Sequence, residues 1–263
     1  MQKSFTQWIL GLGLLAYAIG CLALVFLLSL NPLSGKIDDD ILTSNTLLPD
    51  LTLINQPMER VQLFIEIMKP LVAQKNELLS STRERLLLIK QRVDQQQELG
   101  FVDREQLNSL REDFFVNIED YPSDKQAIEV LLSRVDIIPP SMVIAQAAIE
   151  SGWGTSFFAQ EGNNLFGEWC FKKGCGIVPT RRAASATHEV RKFESIEDSI
   201  NSYYRNINTN NAYRSLRDLR TKLRNGSEAF TGRALVAGLG KYCGRGDIYI
   251  TEVRAMIHSA KLE

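Results

Sequence analysis

The sequence has few histidines and no excess of either charge, and each shortage excludes a class of function. His188 and His258 are its only histidines, and no pair of metal ligands stands at the spacing of a zinc site. We therefore expect no metal centre and no cofactor. The 30 basic and 31 acidic residues give a formal net charge of -1. The chain thus lacks the basic field that holds nucleic acid, and nucleic acid is not an expected partner.

Charge is absent from one long stretch, Trp8 to Leu30, and Lys3 stands before it. As a helix this run would be about 34 Å long, enough to cross a bilayer core of about 30 Å. A cleavable signal peptide has a shorter apolar core, of roughly 7–15 residues. The run therefore predicts an uncleaved signal anchor over residues 1–30, a single transmembrane helix in the inner membrane. Lys3 weakly favours a cytoplasmic N-terminus, which would place the rest of the chain in the periplasm.

Residues 31–57 have the composition of a linker, with prolines, a Ser-Gly pair and three consecutive aspartates. The apolar periodicity then becomes helical, and we assign residues 58–263 to one domain in which 58–138 form a helical N-terminal layer. The first five expected helices are one from Met58, one over Leu86–Gln97 opened by Ser81, one from Asp103 through Phe115, one over Asp124–Arg134 capped by Ser123, and one over Met142–Glu150.

Residues 162–193 differ from the helical segments around them. They contain several glycines, short apolar patches and an alternating end from Thr187 to Phe193, which predicts a small β-hairpin lobe. Ser195 and Asp198 form a capping-box pattern for the next helix. Further helices are expected over Tyr213–Leu223, Glu228–Leu239 and Asp247–Ala260. The predicted fold class is α+β, mostly α.

Cys170 and Cys175 flank a plausible tight turn in which Gly174 would supply the unusual backbone angle. In an exported chain such a pair predicts a hairpin disulfide. Two reduced thiols, or a bond from Cys243 to one member of the pair, remain open alternatives.

The segment from Met142 to Gly167 carries the clearest chemical signal. It places Glu150 at the end of a short apolar helix, where glycines break the helix, and Trp153 follows. A carboxyl group half out of water beside aromatic surface has a raised pKa, so it can hold a proton and give it to a leaving oxygen. Sugar-bond cleavage requires such a group. By residue type alone, an ordinary solvated glutamate would be the simpler interpretation.

Several motifs together resemble the bacterial glucosaminidase family, family 73 of the glycoside hydrolases. The matching pieces are AQAAIESGWG at 145–154, NNLFG at 163–167, FES at 193–195 and a terminal segment over 242–257. The stretch WCFKKGCG at 169–176 and the Arg245-Gly246 pair are most similar to the Bax-type membrane-associated members. The resemblance covers 58–263 and is densest after Pro139.

The resemblance implies a lysozyme-like fold and cleavage of the peptidoglycan glycan strand between N-acetylglucosamine and N-acetylmuramic acid. It maps the catalytic acid onto Glu150. A second carboxylate would activate water, and Glu189 in the β-lobe is the nearest candidate, with Glu168 and Glu194 as others; each of the three could equally be a surface residue. Without a base, the N-acetyl group of the substrate could assist. A lytic transglycosylase route, which needs one carboxyl, is a further alternative.

The resemblance also implies a set of substrate contacts and two partners. The substrate-binding candidates are Trp153, Phe166, Trp169, Tyr242 and Tyr249. Arg181 and Arg182 could meet the acidic peptide stems or face water. The expected partners are peptidoglycan glycan strands and, through the N-terminal helix, the membrane. The competing functions are a non-catalytic peptidoglycan-binding scaffold and, last, an amidase or peptidase built on Cys243 and a histidine.

Overall fold

The computed structural model describes residues 46–180, 182 and 185–263, and most of these are helical. The helices are α1 (Pro57–Asp94), α2 (Phe101–Asp113), α3 (Asp124–Arg134), α4 (Pro140–Ser151), α5 (Phe157–Gly162), α6 (Ile196–Thr209), α7 (Arg214–Asn225), α8 (Gly232–Leu235) and α9 (Asp247–Ser259). Three strands, β1 (Trp169–Cys170), β2 (Gly176–Ile177) and β3 (Glu189–Arg191), stand between α5 and α6. The class is therefore α+β and mostly α, as the sequence predicts.

Helix α1 is one continuous helix of 38 residues, and the prediction of two helices with a new start at Ser81 was wrong. The hydroxyls of Ser81 and Thr82 both donate to the carbonyl oxygen of Leu78 inside the helix. Such back-bonding satisfies these side chains without ending the helix. The buried stripe continues through the predicted break to Leu86 and Ile89, so packing along the whole length holds α1 together.

Two helix starts that the sequence predicts are confirmed by their caps. Ser123 accepts from the backbone N–H of Gln126, and the Gln126 side chain reaches back to the Ser123 backbone. Ser195 and Asp198 form the same reciprocal pair at the start of α6. Each box satisfies backbone donors that a helix start leaves unpaired. These helix starts can therefore be predicted from the local sequence. The helix expected over Glu228–Leu239 is shorter: α8 is capped by Thr231 and continues as a 3₁₀ turn.

Residues 46–56, the described part of the predicted linker, pack against the domain. Leu48 and Leu51 are buried in its core. Two backbone hydrogen bonds also tie the segment down: Ile196 donates to the carbonyl of Thr46, and Leu48 donates to Asn163 Oδ1. The chain therefore joins the core about ten residues before α1 begins.

The predicted transmembrane helix over residues 1–30 lies outside the described residues and stays a prediction. Within residues 46–180, 182 and 185–263, no helix combines the length and the apolar character that crossing a membrane demands. The division of the chain into anchor, linker and domain also stays a prediction.

The three strands form one antiparallel sheet with β3 between β1 and β2. This is the β-lobe expected over 162–193. Gly176 allows the close approach of β2 to β3, since a Cβ atom there would lie 2.0 Å from the carbonyl oxygen of Val190. The predicted disulfide between Cys170 and Cys175 is present, and Gly174 in its turn has the positive φ of 81° that the sequence suggested.

Helix α4 runs through the centre of the core. Every residue from Ser141 to Ala148 is buried. It packs against α1, α8 and α9, so elements from both ends of the described chain surround it. The last turn of α4 carries Glu150, whose position is thereby fixed by a helix that is buried over most of its length.

Candidate active site

Helix α4 ends at Ser151, one residue after Glu150, because the next three residues take the left-handed conformation. Gly152, Trp153 and Gly154 have φ of 59°, 59° and 76°. A glycine at the first of these positions is the usual stop for a helix. Gly154 is required for space as well, since a Cβ atom there would lie 2.8 Å from Leu51 Cδ1. The break leaves Glu150 half-buried at the rim of the core.

A chain of hydrogen bonds from the core ends on the Glu150 carboxyl. Tyr203 donates to Gln146 Oε1 over 2.7 Å, and Gln146 Nε2 donates to the hydroxyl of Tyr249 over 2.9 Å. Tyr249 in turn donates to Glu150 Oε1 over 2.8 Å. Gln146, Tyr203 and Tyr249 are all buried, so the chain is shielded from water and fixes one oxygen of Glu150.

The second oxygen of Glu150 faces Gly167. A Cβ atom at Gly167 would lie 3.9 Å from Oε2, and this glycine has a positive φ of 67°. The absence of a side chain leaves room beside Oε2. A leaving oxygen of a substrate could approach the carboxyl on this side.

Burial raises the pKa of Glu150 above its ordinary value. The hydrogen bond from Tyr249 and the nearby charge of Arg245 act in the opposite direction but do not cancel the effect. The position at a helix C-terminus also disfavours a negative charge. A carboxyl with a raised pKa stays protonated to higher pH, as a general acid must.

Glu150 lines a cleft with a volume of about 890 Å³. The aromatic residues along it are Phe115, Phe166, Trp169, Phe171, Tyr203, Tyr213 and Tyr242. Polar side chains of α6 and the β-lobe complete the lining, including Glu168, Arg191, Ser202 and Asn206. A large open cleft with aromatic walls and polar groups suits a sugar polymer better than a small apolar ligand.

Three of the predicted substrate-binding aromatics lie in this cleft. Trp169 is 56% exposed and stacks on His188 at 4.0 Å between ring centroids. Tyr242 is half-buried and stacks on Tyr249 at 5.2 Å. Phe166 is 7% exposed and stacks on Tyr203, so it shapes the wall more than it offers a free face.

The structure places the other two predicted contacts elsewhere. Trp153 is absent from the cleft lining, and its ring packs edge-on against Phe64 of α1 at 5.8 Å. It anchors the end of α4 to the core. Tyr249 has no exposed surface, so it cannot touch a bound glycan in this conformation. Its role is to hold Glu150, and the prediction of direct substrate contact does not fit it.

The structure does not support Glu189 as a catalytic carboxylate. Glu189 is 5% exposed and lies outside the cleft lining. Its two oxygens accept hydrogen bonds from the backbone N–H groups of Gly174 and Gly176, and these bonds lower the pKa of Glu189. The carboxylate therefore holds the disulfide-closed turn against β3.

Glu168 is the carboxylate that shares the cleft with Glu150. It forms an ion pair with Arg191 at 2.6 Å, and Arg191 also donates to Ser202 of α6. This contact joins the β-lobe to α6 along one side of the cleft. Glu194, the remaining candidate, is exposed and outside the cleft lining.

Sequence reasoning missed Gln146 and Tyr203 as supports of Glu150. Gln146 could have been found, because it stands four residues before Glu150 on the same helix and therefore shares its face. Tyr203 carried no comparable signal, since only the packing of α6 against α4 brings it near. The two asparagines after α5 shape the turn. Asn163 donates to the carbonyls of Phe193 and Glu194, and Asn164 donates to the carbonyl of Glu168 and accepts from its backbone N–H.

The remaining predicted groups lie in the β-lobe. Cys170, Cys175 and Glu189 bring possible metal-ligand atoms together in the described part of the chain. Both sulfurs belong to the disulfide, so they are not available as thiolate ligands. Arg182 donates to the carbonyl of His188 over 2.9 Å and thus supports the lobe. Arg181 lies outside the described residues.

Comparisons with known proteins point in the same direction as the site. Residues 125–262 match the glucosaminidase family model, described as mannosyl-glycoprotein endo-beta-N-acetylglucosaminidase. The chain is 34% identical over 211 residues to Protein bax of Escherichia coli strain K12, which covers 80% of this chain and 73% of that protein. No solved structure gave a significant match.

Proposed function

Because the chain belongs to the glucosaminidase family, we propose that it hydrolyses the glycan strands of peptidoglycan as an endo-β-N-acetylglucosaminidase with Glu150 as its general acid. The observation that carries this proposal is the position of Glu150. It is half-buried, held by Tyr249 on one oxygen, and open on the other to a cleft with aromatic walls. The lysozyme-like fold that the sequence motifs imply is part of the same proposal.

The proposed reaction uses the different surroundings of the two Glu150 carboxyl oxygens. Glu150 gives its proton to the glycosidic oxygen, and the bond between that oxygen and the anomeric carbon breaks. Positive charge develops on the sugar ring at this stage. Water adds to the anomeric carbon and gives up a proton, which completes the hydrolysis. Tyr249 would hold Oε1 while Oε2 faces the leaving group beside Gly167.

We propose Glu168 as the base that receives the proton of the attacking water. It lies in the same cleft as Glu150, and its ion pair with Arg191 keeps it oriented. If the N-acetyl group of the substrate assisted instead, no second carboxylate would be needed. The activity of Glu168→Gln distinguishes these two routes, because only the first requires the Glu168 carboxylate.

The anchor over residues 1–30 would place the cleft in the periplasm, where peptidoglycan lies. The support is the uncharged run from Trp8 to Leu30 with Lys3 before it. Two C-terminal fusions of the full chain test the orientation. We expect activity from a periplasmic phosphatase reporter and none from a reporter that folds only in the cytoplasm. The reverse pattern would refute this location.

Mass spectrometry of digested peptidoglycan tests the activity. The full-length protein would be compared with the Glu150→Gln variant and with Glu194→Gln, which changes an exposed glutamate outside the cleft. We expect fragments with reducing N-acetylglucosamine ends from the wild type and from Glu194→Gln, and none from Glu150→Gln. Anhydromuramic ends would indicate a lytic transglycosylase. No fragments from folded wild-type protein would favour a binding scaffold.

A further inference from the structure

Phe115 lines the same cleft as Glu150, although it lies outside the segment that matches the family model. The family match begins at residue 125, and Phe115 belongs to the N-terminal helical layer, directly after the C-cap of α2. The cleft is therefore built by two parts of the chain. One of them precedes the segment that matches the family model, and it contributes an aromatic ring.

The backbone at Phe115 is in a conformation that aromatic residues rarely adopt. Its φ is 54°, and for a bulky residue such a value is an outlier. A glycine would normally occupy this position after a helix. Burial does not compensate, because Phe115 is 55% exposed. An unfavourable backbone with an exposed aromatic ring is the combination from which a functional role is best inferred.

The residues around Phe115 hold its backbone rigidly. Arg134 donates from one nitrogen to the carbonyl of Phe114 over 2.6 Å and to that of Phe115 over 2.8 Å. Phe114 and Val116 on either side are buried. The N–H of Val116 donates to the carbonyl of Arg111. The ring of Phe115 therefore projects from a fixed point of the surface.

Helix α6 lines the same cleft as this ring and the β-lobe. Its residues Ser202, Asn206 and Thr209, and Asn210 beyond its end, all line the cleft. From Ser202, which contacts Arg191, to Asn210 the helix rises about 12 Å. This distance exceeds the size of a single sugar ring, and hydroxyl and amide groups line it.

We propose that Phe115 is a binding platform for a sugar ring that lies away from the cleaved bond. The glycan strand would run along α6, with its hydroxyls toward the polar side chains and one ring face on Phe115. An aromatic face beside polar groups matches the amphipathic faces of a sugar ring. The N-terminal layer would thus make the enzyme prefer long strands. This inference rests on the proposed glycan substrate.

The test compares the full-length wild type with Phe115→Gly, Phe115→Trp and Phe157→Ala on glycan strands of defined length. Phe157 is a matched control, since it is 62% exposed and outside the cleft lining. We expect Phe115→Gly to raise KM for long strands about tenfold without changing kcat. With the shortest cleavable fragment as substrate, Phe115→Gly should have the KM of the wild type. Phe115→Trp and Phe157→Ala should have the KM of the wild type on long strands as well.

Phe115→Gly also separates a binding role from a structural one. Glycine accepts the positive φ, so the melting temperature should stay equal or rise while long-strand binding weakens. An unchanged KM for long strands would overturn the proposal. The same substitution in the Glu150→Gln protein, read by strand binding alone, keeps the test valid if the chain proves inactive. Equal affinity with and without Phe115 would then overturn it.

Discussion

The hydroxyl of Tyr249 donates a hydrogen bond to Glu150 Oε1 over 2.8 Å, and this bond stabilises the ionised carboxylate. It therefore lowers the pKa of Glu150, against the larger effect of burial, which raises it. In Tyr249→Phe the lowering contribution is lost, so the pKa rises further. Because the acid must be protonated, we expect the alkaline limb of the rate–pH profile to move to higher pH. We also expect kcat to fall by up to about 10²-fold, since the carboxyl loses its support.

Tyr204→Phe is the matched control for this measurement. Tyr204 is also a buried tyrosine of the core, but its hydroxyl bonds Asn76 and not Glu150. It should change stability without moving the alkaline limb. A limb that stays in place in Tyr249→Phe would show that the bond does not tune the acid.

Glu150→Gln should abolish activity and stabilise the fold. Burial raises the pKa of Glu150 in the folded chain, so folding favours the neutral carboxyl. The associated stability is complete below the unfolded pKa and is lost as pH rises through the folded pKa. Glutamine resembles the neutral form at every pH. At neutral pH the variant should therefore be more stable than the wild type, by at most about 1 kcal/mol after allowance for solvent screening.

Urea unfolding at neutral and at acidic pH checks this expectation. The difference between the two proteins should shrink as the pH falls through the folded pKa of the carboxyl and vanish below its unfolded pKa. A wild type that is the more stable protein at neutral pH would contradict the account of Glu150 as a carboxyl whose pKa is raised by burial.

Glu168→Gln and Glu189→Gln should have different consequences. Glu168 lies in the cleft, and its replacement should lower kcat by about 10²-fold or more if it acts as the base. Glu189 binds two backbone N–H groups of the disulfide turn, so its replacement should loosen the β-lobe and raise KM with a smaller effect on kcat. Steady-state kinetics on soluble glycan fragments separates the two. Full activity in Glu168→Gln would favour assistance by the substrate's N-acetyl group.

The sequence predicts best what neighbouring residues decide. Two helix starts are capped within one turn, by Ser123 with Gln126 and by Ser195 with Asp198. Their boundaries can therefore be predicted without knowledge of the fold. The proposed start at Ser81 used the same logic and was wrong. The buried stripe of α1 continues past that point, and long-range packing outweighs local capping preference.

Roles in the site depend on contacts that no local pattern contains. Glu150 is proposed as the acid because the helix, the glycines and the carboxyl are consecutive in the sequence. Trp153 was expected to contact the substrate, but its ring packs against Phe64 of α1. Glu189 was expected as a base, but the turn after β1 supplies two N–H donors to it. In both cases the partner lies on another element, so residue type alone left the role open.

Removal of the disulfide should weaken substrate binding more than it affects the chemical step. The bond between Cys170 and Cys175 closes the turn that follows Trp169 and carries Phe171, and both aromatics line the cleft. The paired Cys170→Ser, Cys175→Ser variant should therefore raise KM and leave kcat close to the wild-type value. Because the loop is short, loss of the disulfide should lower the free energy of unfolding by about 2 kcal/mol through the greater entropy of the unfolded chain. A large fall in kcat at unchanged KM would contradict this account.

Asp136 joins arginines of α1 and α7 beside the start of α4. It is 3% exposed, and its carboxylate accepts from Arg224, while Arg83 of α1 and Arg220 of α7 each approach it to 3.6 Å. It stands four residues before α4, whose last turn carries Glu150. Asp136→Ala would leave several arginine charges close together in a buried place. We expect a loss of about 3–5 kcal/mol in the free energy of unfolding.

Asp94→Ala provides the contrast that makes the Asp136 experiment informative. Asp94 pairs with Lys90 on the exposed face of α1, with 41% of its side chain accessible, and such pairs contribute only about 0.3–0.5 kcal/mol. Chemical denaturation of both variants therefore compares a buried carboxylate that several arginines share with a single surface pair. Similar losses in the two would mean that water reaches the Asp136 cluster. The rigidity of α4, and with it the position of Glu150, would then have to come from apolar packing alone.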